Sequence, residues 1–181
     1  LVEELKRIQT ALRRFFPNQL LMFLQKTSIT EINTGDFSEL SMTVLSIDIR
    51  SFTSISEQLS PDEVFILLNN YFALVAPIIR QYGGGIMKFL GDGFTALFPE
   101  NSDTAVLCGI EIQKKLQEKC IQLKNLQSIK IRAGIGIDTG RILLGVIGND
   151  SRLDSVVISN TCYTAEELQA DKDIFQYNYY F

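Results

Sequence analysis

Apolar residues near the start of the chain repeat with a helical spacing. The members of this stripe lie alternately four and three residues apart: Leu1, Leu5, Ile8, Leu12 and Phe15. This is the a/d pattern of a coiled coil, although an ordinary amphipathic helix produces it over so short a length. Pro17 interrupts the pattern and favours a second short helix through Leu24. Residues 1–38 are therefore predicted to be a helical linker or coiled-coil stub, and a helix already under way at Leu1 indicates a longer protein.

The pattern changes to strand and helix alternation from about residue 41. Residues 42–47 are apolar and predict a strand. Ser60-Pro61-Asp62-Glu63 is a strong helix start, with Ser60 as N-cap, proline at the first position and a capping box. We expect this helix to end near Tyr82, before three glycines. Its predicted buried face consists of Val64, Leu67, Leu68, Tyr71, Phe72 and Val75.

Two hairpins are predicted in the second half of the chain. Residues 86–90 and 94–98 read as strands joined at Gly91-Asp92-Gly93, a strong hairpin signal. Residues 129–137 and 142–147 predict a second hairpin around Asp138-Thr139-Gly140, and residues 175–181 have a strand-like composition. Between the hairpins a helix opens at Ser102-Asp103. Its inward positions are Ala105, Gly109, Ile112 and Leu116.

The predicted order is β-α-β-β-α-β-β, the α+β arrangement known as the ferredoxin-like split βαβ fold, with an extra strand. We assign residues 39–181 to this domain. A right-handed crossover makes the first and second strands parallel, with the third between them and antiparallel. The end of the first strand and the turn of the first hairpin then lie at one edge of the sheet. Asp48 and Asp92 are therefore predicted to be neighbours.

Composition excludes several classes of protein. The 181 residues, 46% hydrophobic and 21% charged, suit one soluble globular domain, and a net charge of −4 gives no footprint for nucleic acid. The apolar residues 20–24 are too few to cross a membrane, so we expect no membrane segment here and a cytoplasmic location, although a part upstream could be membrane-bound. Cys108, Cys120 and Cys162 are scattered, and the chain has no histidine, which excludes histidine-based triads and zinc sites.

The two aspartates are the strongest candidates for chemistry. Asp48 follows an apolar strand, and Asp92 lies between two glycines. Two adjacent carboxylates repel one another unless a cation lies between them, and oxygen donors suit Mg²⁺ or Mn²⁺. The backbone N–H groups from Ile49 to Thr53 could cradle a polyphosphate, with the Thr53 hydroxyl as a further group. The alternative is that each aspartate only caps a helix or shapes a turn.

Two basic residues have less specific positions. Arg132 stands at the entry to a strand, where its guanidinium suits phosphate oxygens, or where it is simply a solvated charge. Lys88 lies on an apolar strand, as a pocket residue or as a charge that protects a sheet edge.

The chain resembles the class III nucleotide cyclases, specifically the bacterial adenylyl cyclase catalytic domain. Ordered blocks between about residues 40 and 159 carry the resemblance, and the Phe16-Pro17 and Ile29-Thr30-Glu31-Ile32 segments resemble the linker before such domains. The blocks are Asp48-Ile49-Arg50-Ser51-Phe52-Thr53, Gly84-Gly85-Ile86-Met87-Lys88-Phe89-Leu90-Gly91-Asp92, Arg132-Ala133-Gly134-Ile135-Gly136-Ile137-Asp138-Thr139-Gly140 and Arg152-Leu153-Asp154-Ser155-Val156-Val157-Ile158-Ser159.

The resemblance implies a signalling lyase that converts ATP to 3′,5′-cyclic AMP and pyrophosphate. It implies a head-to-tail homodimer with active sites at the interface, driven by an upstream sensor or regulatory domain. Asp48, Asp92 and the Ile49 carbonyl would hold two Mg²⁺ or Mn²⁺ ions, while the Ser51-Phe52-Thr53 backbone and Arg132 would hold the triphosphate.

Base recognition departs in part from the family pattern. Lys88 matches the position that reads the purine, and a lysine there indicates adenine, which disfavours a guanylyl cyclase. Its usual Asp or Thr partner is replaced by Val156. Valine offers no side-chain hydrogen bond, so selectivity would depend on Lys88 and on backbone groups near Val157.

A larger departure follows the last matching block. The family carries an Asn and, four residues later, an Arg that stabilise the transition state, whereas this chain has Tyr163 and Glu167. Three explanations remain: a catalytically degenerate homologue, a local slip in register, or residues missing near 160–161, which the sequence favours because residues 161–181 look like a later stretch of the domain. The alternative functions are a regulatory module that binds nucleotide and dimerises without turnover, a guanylyl cyclase, and a two-metal polymerase palm.

Overall fold

The computed structural model describes residues 2–15, 18–99, 102–123, 128–149 and 151–171. The strand predicted at residues 175–181 lies outside these ranges. The helices are α1 (Val2–Phe15), α2 (Asn18–Phe23), α3 (Phe52–Ser56), α4 (Pro61–Gln81), α5 (Ser102–Glu118) and α6 (Asn160–Ala170). The strands are β1 (Phe37–Ile49), β2 (Gly85–Leu90), β3 (Gly93–Phe98), β4 (Ile121–Gln122), β5 (Ser128–Ile129), β6 (Ala133–Asn149) and β7 (Arg152–Ile158).

The strand order confirms the predicted split βαβ topology. The main sheet has the order β2-β3-β1-β6-β7, and β3 is antiparallel to both β1 and β2. Strand β6 runs beside β1: the Arg50 N–H donates to the Arg132 carbonyl (2.8 Å), and the Thr43 and Thr139 hydroxyls are 2.8 Å apart. The first hairpin forms where predicted, because Leu90 and Gly93 are paired across its turn.

The second predicted hairpin is wrong. Strand β6 runs unbroken through Asp138-Thr139-Gly140, and its antiparallel partner is β7, from Leu143 opposite Ile158 to Asn149 opposite Arg152. The predicted strand start at Ile129 belongs instead to the small β4–β5 pair. The physical reason is that the glycines of β6 do not turn the chain but leave room for helix α6 to pack against the strand. A Cβ at Gly140, for example, would collide with Thr161 of α6.

The described residues between 41 and 140, together with residues 160–171, form one compact unit. Its core lies between the sheet and α4 and α5, and the predicted inward positions of α5 are all buried. The predicted start of α4 is present, because the Glu63 carboxylate accepts hydrogen bonds from the Ser60 N–H (3.0 Å) and hydroxyl (2.8 Å). The largest fully buried side chains of this unit include Tyr71, Phe94 and Phe98.

The described residues of 1–40 and 141–159 form the second unit. Here the start of β1 meets the end of β6, since the Val146 N–H donates to the Asp36 carbonyl (2.9 Å). Lys26 pairs with the Asp36 carboxylate at 3.1 Å. Helix α2 is anchored by buried Leu20 and Phe23, whereas the apolar stripe of α1 is exposed at Leu5, Ile8 and Leu12.

Helix α4 alone, within the described part of the chain, is long and apolar enough to cross a membrane by length and composition. Its apolar character has a simpler origin, because Leu67, Tyr71, Val75, Ile78 and Ile79 are buried in the core. A core helix passes the same criterion, so α4 is weak support for a membrane span.

Candidate active site

The two candidate carboxylates converge at one edge of the sheet. Asp48 is the last residue but one of β1, and Asp92 lies in the β2–β3 turn. The Ile49 N–H lies 3.0 Å from one Asp48 carboxylate oxygen and 3.3 Å from one Asp92 oxygen. The predicted proximity of the two aspartates is therefore confirmed, and a single backbone N–H links them.

The glycines that flank Asp92 make this approach possible. A Cβ on Gly93 would lie 2.6 Å from the Ile47 carbonyl oxygen and 2.9 Å from an Asp48 carboxylate oxygen, so a side chain there would push the two strands apart. Gly91 has a φ of +67°, a left-handed conformation that glycine adopts without strain. The Gly-Asp-Gly sequence thus forms the turn and admits the carboxylate of Asp48.

The electrostatics of the pair are unfavourable without a cation. Burial first, then the hydrogen bond and negative charge of Asp48, raise the pKa of Asp92 to about 7. Beneath the pair, burial and then the charges of Asp48 and Asp92 raise the pKa of Tyr71. The Tyr71 hydroxyl is buried and has no hydrogen-bond partner among the described residues. The edge of the sheet therefore holds negative charge and an unsatisfied hydroxyl side by side.

These features fit a hard divalent cation. Within the ranges that the structure describes, no group of three or more His, Cys, Asp and Glu side chains could hold a metal, so Asp48 and Asp92 provide a pair of carboxylates and no more. Mg²⁺ is usually bound by one or two carboxylates together with phosphates and water, which matches so small a donor set. A cation between the carboxylates would also remove the repulsion that raises the pKa of Asp92.

The predicted phosphate turn follows directly after β1. Ser51 has φ 60° and ψ 30°, a left-handed conformation, and it immediately precedes α3. Phe52 packs against the core, while Ser51 and Thr53 are exposed. The turn is thus held by the core on its inner side and open to solvent on its outer side, as a phosphate-binding turn must be. Phosphate binding by this turn stays a prediction.

The remaining predicted residues occupy separate positions. Lys88 is exposed on β2, after a register shift between Ile86 and Lys88 that re-aims the strand, and Arg132 is exposed immediately before β6. Val156 and Val157 are half-buried on β7, where they pair with Gly145 and Leu144, and they belong to the other compact unit. The structure thus brings together Asp48, Ile49 and Asp92, and the roles of the others stay predictions.

Arg50 is a residue whose importance the sequence did not indicate. Its guanidinium donates to the backbone carbonyls of Gln169 (2.6 Å), Asp171 (3.1 Å) and Ala170 (3.3 Å), at the C-terminal end of α6. A Cβ on Gly134 would collide with this guanidinium. Arg50 therefore connects the turn after Asp48 to α6, a long-range contact for which the sequence gives no signal.

Helix α6 starts two residues after β7 ends, with Tyr163 and Glu167 both exposed on it. Thr161, Ala165 and Gln169 are buried on its inner side. The two positions at which the resemblance implies an Asn and an Arg therefore lie on a helix, as expected. In this chain they hold Tyr163 and Glu167.

Comparison with known proteins agrees with this geometry. Residues 37–172 match the family model described as the adenylate and guanylate cyclase catalytic domain. An adenylate cyclase of Anabaena cylindrica is 35% identical over 171 residues, which cover 92% of this chain and 34% of that protein. The crystal structure of the adenylyl cyclase CyaB from P. aeruginosa is 29% identical, with a TM-score of 0.65 over 74% of this chain and 73% of that one. The guanylyl cyclase Cya2 is 35% identical, with a TM-score of 0.67 over 76% and 72%.

The chain belongs to the adenylate and guanylate cyclase catalytic domain family. This confirms the predicted fold and the predicted enzyme class at the level of the family, whose catalytic domains generally use divalent metal ions and act as dimers. The chain spans about a third of the length of the Anabaena relative.

Proposed function

We propose that this domain is an adenylyl cyclase that converts ATP to 3′,5′-cyclic AMP and pyrophosphate. The observation that carries the proposal is the convergence of Asp48 and Asp92 around the Ile49 N–H, at distances of 3.0 and 3.3 Å. The two carboxylates, with the Ile49 carbonyl, are the groups we assign to two Mg²⁺ or Mn²⁺ ions.

The reaction is an internal displacement at phosphorus. The ribose 3′-oxygen forms a bond to the α-phosphorus, the bond from that phosphorus to the bridging oxygen of the β-phosphate breaks, and pyrophosphate leaves, while the hydroxyl proton passes to solvent. The metal ions, when bound, supply positive charge at the 3′-oxygen and the phosphates. The role of Asp48 and Asp92 is to hold that charge at the sheet edge, so no histidine is needed as a base.

The exposed turn and two basic residues complete the substrate assignment. The Ser51-Phe52-Thr53 backbone and the exposed Arg132 would bind the triphosphate. Lys88 would read the adenine edge. Support for ATP comes from Lys88 and from the adenylate cyclase of Anabaena.

A head-to-tail dimer with sites at the interface is part of the same proposal, and a homodimer is its simplest form. In it the acid pair of one subunit faces α6 of the other. The a/d stripe of α1, exposed at Leu5, Ile8 and Leu12, would form a parallel coiled coil that transmits a signal from an upstream sensor. Any cyclic AMP formation should then fall on dilution by mass action. We assign the catalytic domain to the cytoplasm.

The test is metal-dependent nucleotide binding and turnover in Asp48→Ala and Asp92→Ala variants. Both should lose Mn²⁺-dependent binding of a non-hydrolysable ATP analogue in calorimetry, and their cyclic AMP formation should fall at least ~10³-fold or below detection. Asp154→Ala, an exposed carboxylate on β7, is the matched control and should bind normally. Near-normal binding and turnover in either site variant would show that the acid pair is not a metal site.

A regulatory module without turnover is the second candidate, because Tyr163 and Glu167 replace the expected Asn and Arg. It predicts metal-dependent nucleotide binding with no cyclic nucleotide product under any pairing of subunits. A guanylyl cyclase, suggested by 35% identity to Cya2, is disfavoured by Lys88.

A further inference from the structure

One face of the main sheet carries a row of polar side chains. Ser46 of β1 lies opposite Thr95 of β3, and Thr95 lies opposite Lys88 of β2. Residues that are directly opposite on antiparallel strands project from the same face, with their Cβ atoms about 5 Å apart. These three residues, which we call the polar row, therefore lie side by side on three neighbouring strands.

The polar row faces away from the core beneath α4 and α5. Side chains alternate along a strand, and the two neighbours of Thr95 on β3, Phe94 and Ala96, both belong to that core. Lys88 is exposed, whereas the exposed fraction is 9% for Thr95 and 6% for Ser46. The lysine thus stands at the rim of this surface, and the two hydroxyls form its floor.

A β-bulge in β2 brings Lys88 into the row. Ile86 pairs with Ala96 and Lys88 with Thr95, so two steps along β2 match one step along β3, and Met87 is the additional residue. Without that residue, alternation would place Lys88 on the same face as Ile86, which packs against the core. Bulges near functional sites re-aim side chains, and this one directs the lysine to the side of Thr95.

The hydroxyls of the polar row are not used inside the fold. Another buried threonine of β1, Thr43, has its hydroxyl 2.8 Å from that of Thr139. For Ser46 and Thr95 the structure shows no side-chain hydrogen bond among the described residues. Buried polar groups are normally bonded, so two unbonded hydroxyls next to a lysine point to a polar ligand.

The polar row is adjacent to the acid pair. Asp48 lies two residues beyond Ser46 on β1, hence on the same face and about 7 Å further along the strand. The space beside Asp48 is open, because Gly93 has no side chain to fill it. A nucleotide with its phosphates at the acid pair can span this distance with its ribose, and its base then lies at the polar row.

We propose that Thr95 is a specificity-determining residue, whose hydroxyl accepts a hydrogen bond from the 6-amino group of adenine while Lys88 donates to the adjacent ring nitrogen. A lysine can only donate, whereas a hydroxyl can also accept, so the two together match the donor and acceptor on that edge of adenine. Ser46 is a positioning residue, because its hydroxyl can accept the Thr95 proton and leave the Thr95 oxygen to the base. The inference rests on the proposed function, since it takes Lys88 as the residue that reads the base.

The test compares two non-hydrolysable nucleoside triphosphates by calorimetry with Mn²⁺: the ATP analogue, and the same compound with unsubstituted purine, which lacks the 6-amino group. Wild type should bind the ATP analogue about 10-fold more tightly, the scale of one hydrogen bond. Thr95→Val removes the hydroxyl and should reduce this ratio to about 1 without weakening the purine analogue. Thr95→Ser should keep the ratio. Thr43→Val, which removes a buried hydroxyl from the other face of β1, is the matched control and should also keep it.

Three results would overturn the inference. The first is a Thr95→Val chain that keeps its thermal midpoint and the wild-type ratio. The second is a Thr95→Val chain that loses affinity for both analogues equally, which would show a purely structural role. The third needs no variant: a wild-type chain that binds both analogues with the same affinity. A wild-type chain that binds neither analogue with Mn²⁺ would instead overturn the proposed function.

Discussion

The replacement Asp92→Asn should make the metal-free domain more stable at alkaline pH and not at acidic pH. The pKa of Asp92 is raised from its ordinary 3.8 to about 7, by burial and by Asp48. Well below pH 4 the carboxyl is protonated in the folded and unfolded states alike, so its charge costs nothing. Between about pH 4 and 7 the unfolded state ionises while the folded state keeps its proton, so stability falls as pH rises, and the loss is complete above about pH 7, where the folded state also ionises. Asparagine removes this cost and can still accept a hydrogen bond from the Ile49 N–H.

The magnitude follows from the pKa. Each tenfold change in proton affinity corresponds to about 1.4 kcal/mol, which sets a ceiling of about 4 kcal/mol for Asp92. Because the side chain is only half-buried, solvent screening lowers the expected gain to about 1–2 kcal/mol above pH 8. For a domain of this length that is a rise of about 3–6 °C in the thermal midpoint.

The assay is thermal unfolding in EDTA, followed by circular dichroism from pH 4 to 8. Asp48→Asn should give a smaller gain, because it removes the charge of Asp48 but leaves Asp92 buried, and the double variant should gain less than the sum, because either change alone removes the repulsion. Asp154→Asn, an exposed carboxylate, controls for net charge. A variant no more stable than wild type at pH 8, or equally stabilised at pH 4, would show that the two carboxylates do not repel one another as we argue. Added Mn²⁺ should stabilise the wild type more than the variant.

Three further predictions concern the surroundings of the site. Tyr71→Phe should stabilise the metal-free domain by about 1–2 kcal/mol in denaturant unfolding, because it removes a buried hydroxyl without a partner; no gain would mean that the hydroxyl is satisfied, for example by water. Gly136→Ala should destabilise by about 1–3 kcal/mol because its methyl group meets the backbone of α6, whereas Gly109→Ala, with its nearest neighbour 3.5 Å away, should not. Lys88→Glu should weaken the preference for ATP over GTP by about 1–3 kcal/mol in kcat/KM; an unchanged preference in Lys88→Ala would make this lysine a strand-edge charge.

Sequence patterns predicted the topology because each of its parts has a local cause. The start of α4 is specified by Ser60, Pro61 and Glu63, and the first hairpin by Gly91-Asp92-Gly93. A right-handed crossover then leaves little freedom, and from the sequence alone it predicts that Asp48 lies next to Asp92. Residues distant in sequence were placed correctly where local signals and a chirality rule were sufficient.

The errors have one physical origin, which is long-range packing. Asp138-Thr139-Gly140 resembles a turn because its glycine is adapted to a close neighbour, and that neighbour, Thr161, is distant along the chain. Arg50 is similar: nothing local distinguishes an arginine that caps α6 from one that faces solvent. A glycine can serve a local turn or a close long-range contact, and an arginine can face solvent or bind a distant backbone carbonyl. The sequence alone does not distinguish the local role from the long-range role.

The acid pair and the outer face of α6 differ in what they cost the fold, and this difference indicates what each is for. Asp48 and Asp92 lie side by side with one raised pKa, which destabilises the metal-free domain, so their presence is better explained by a ligand than by folding. The outer face of α6 has no such cost, because the helix is held in place by its inner face, which packs on the glycines of β6, and by Arg50 at its C-terminal end. Side chains on that face can therefore change without a cost to the fold, whereas the acid pair keeps a cost that a bound cation would remove.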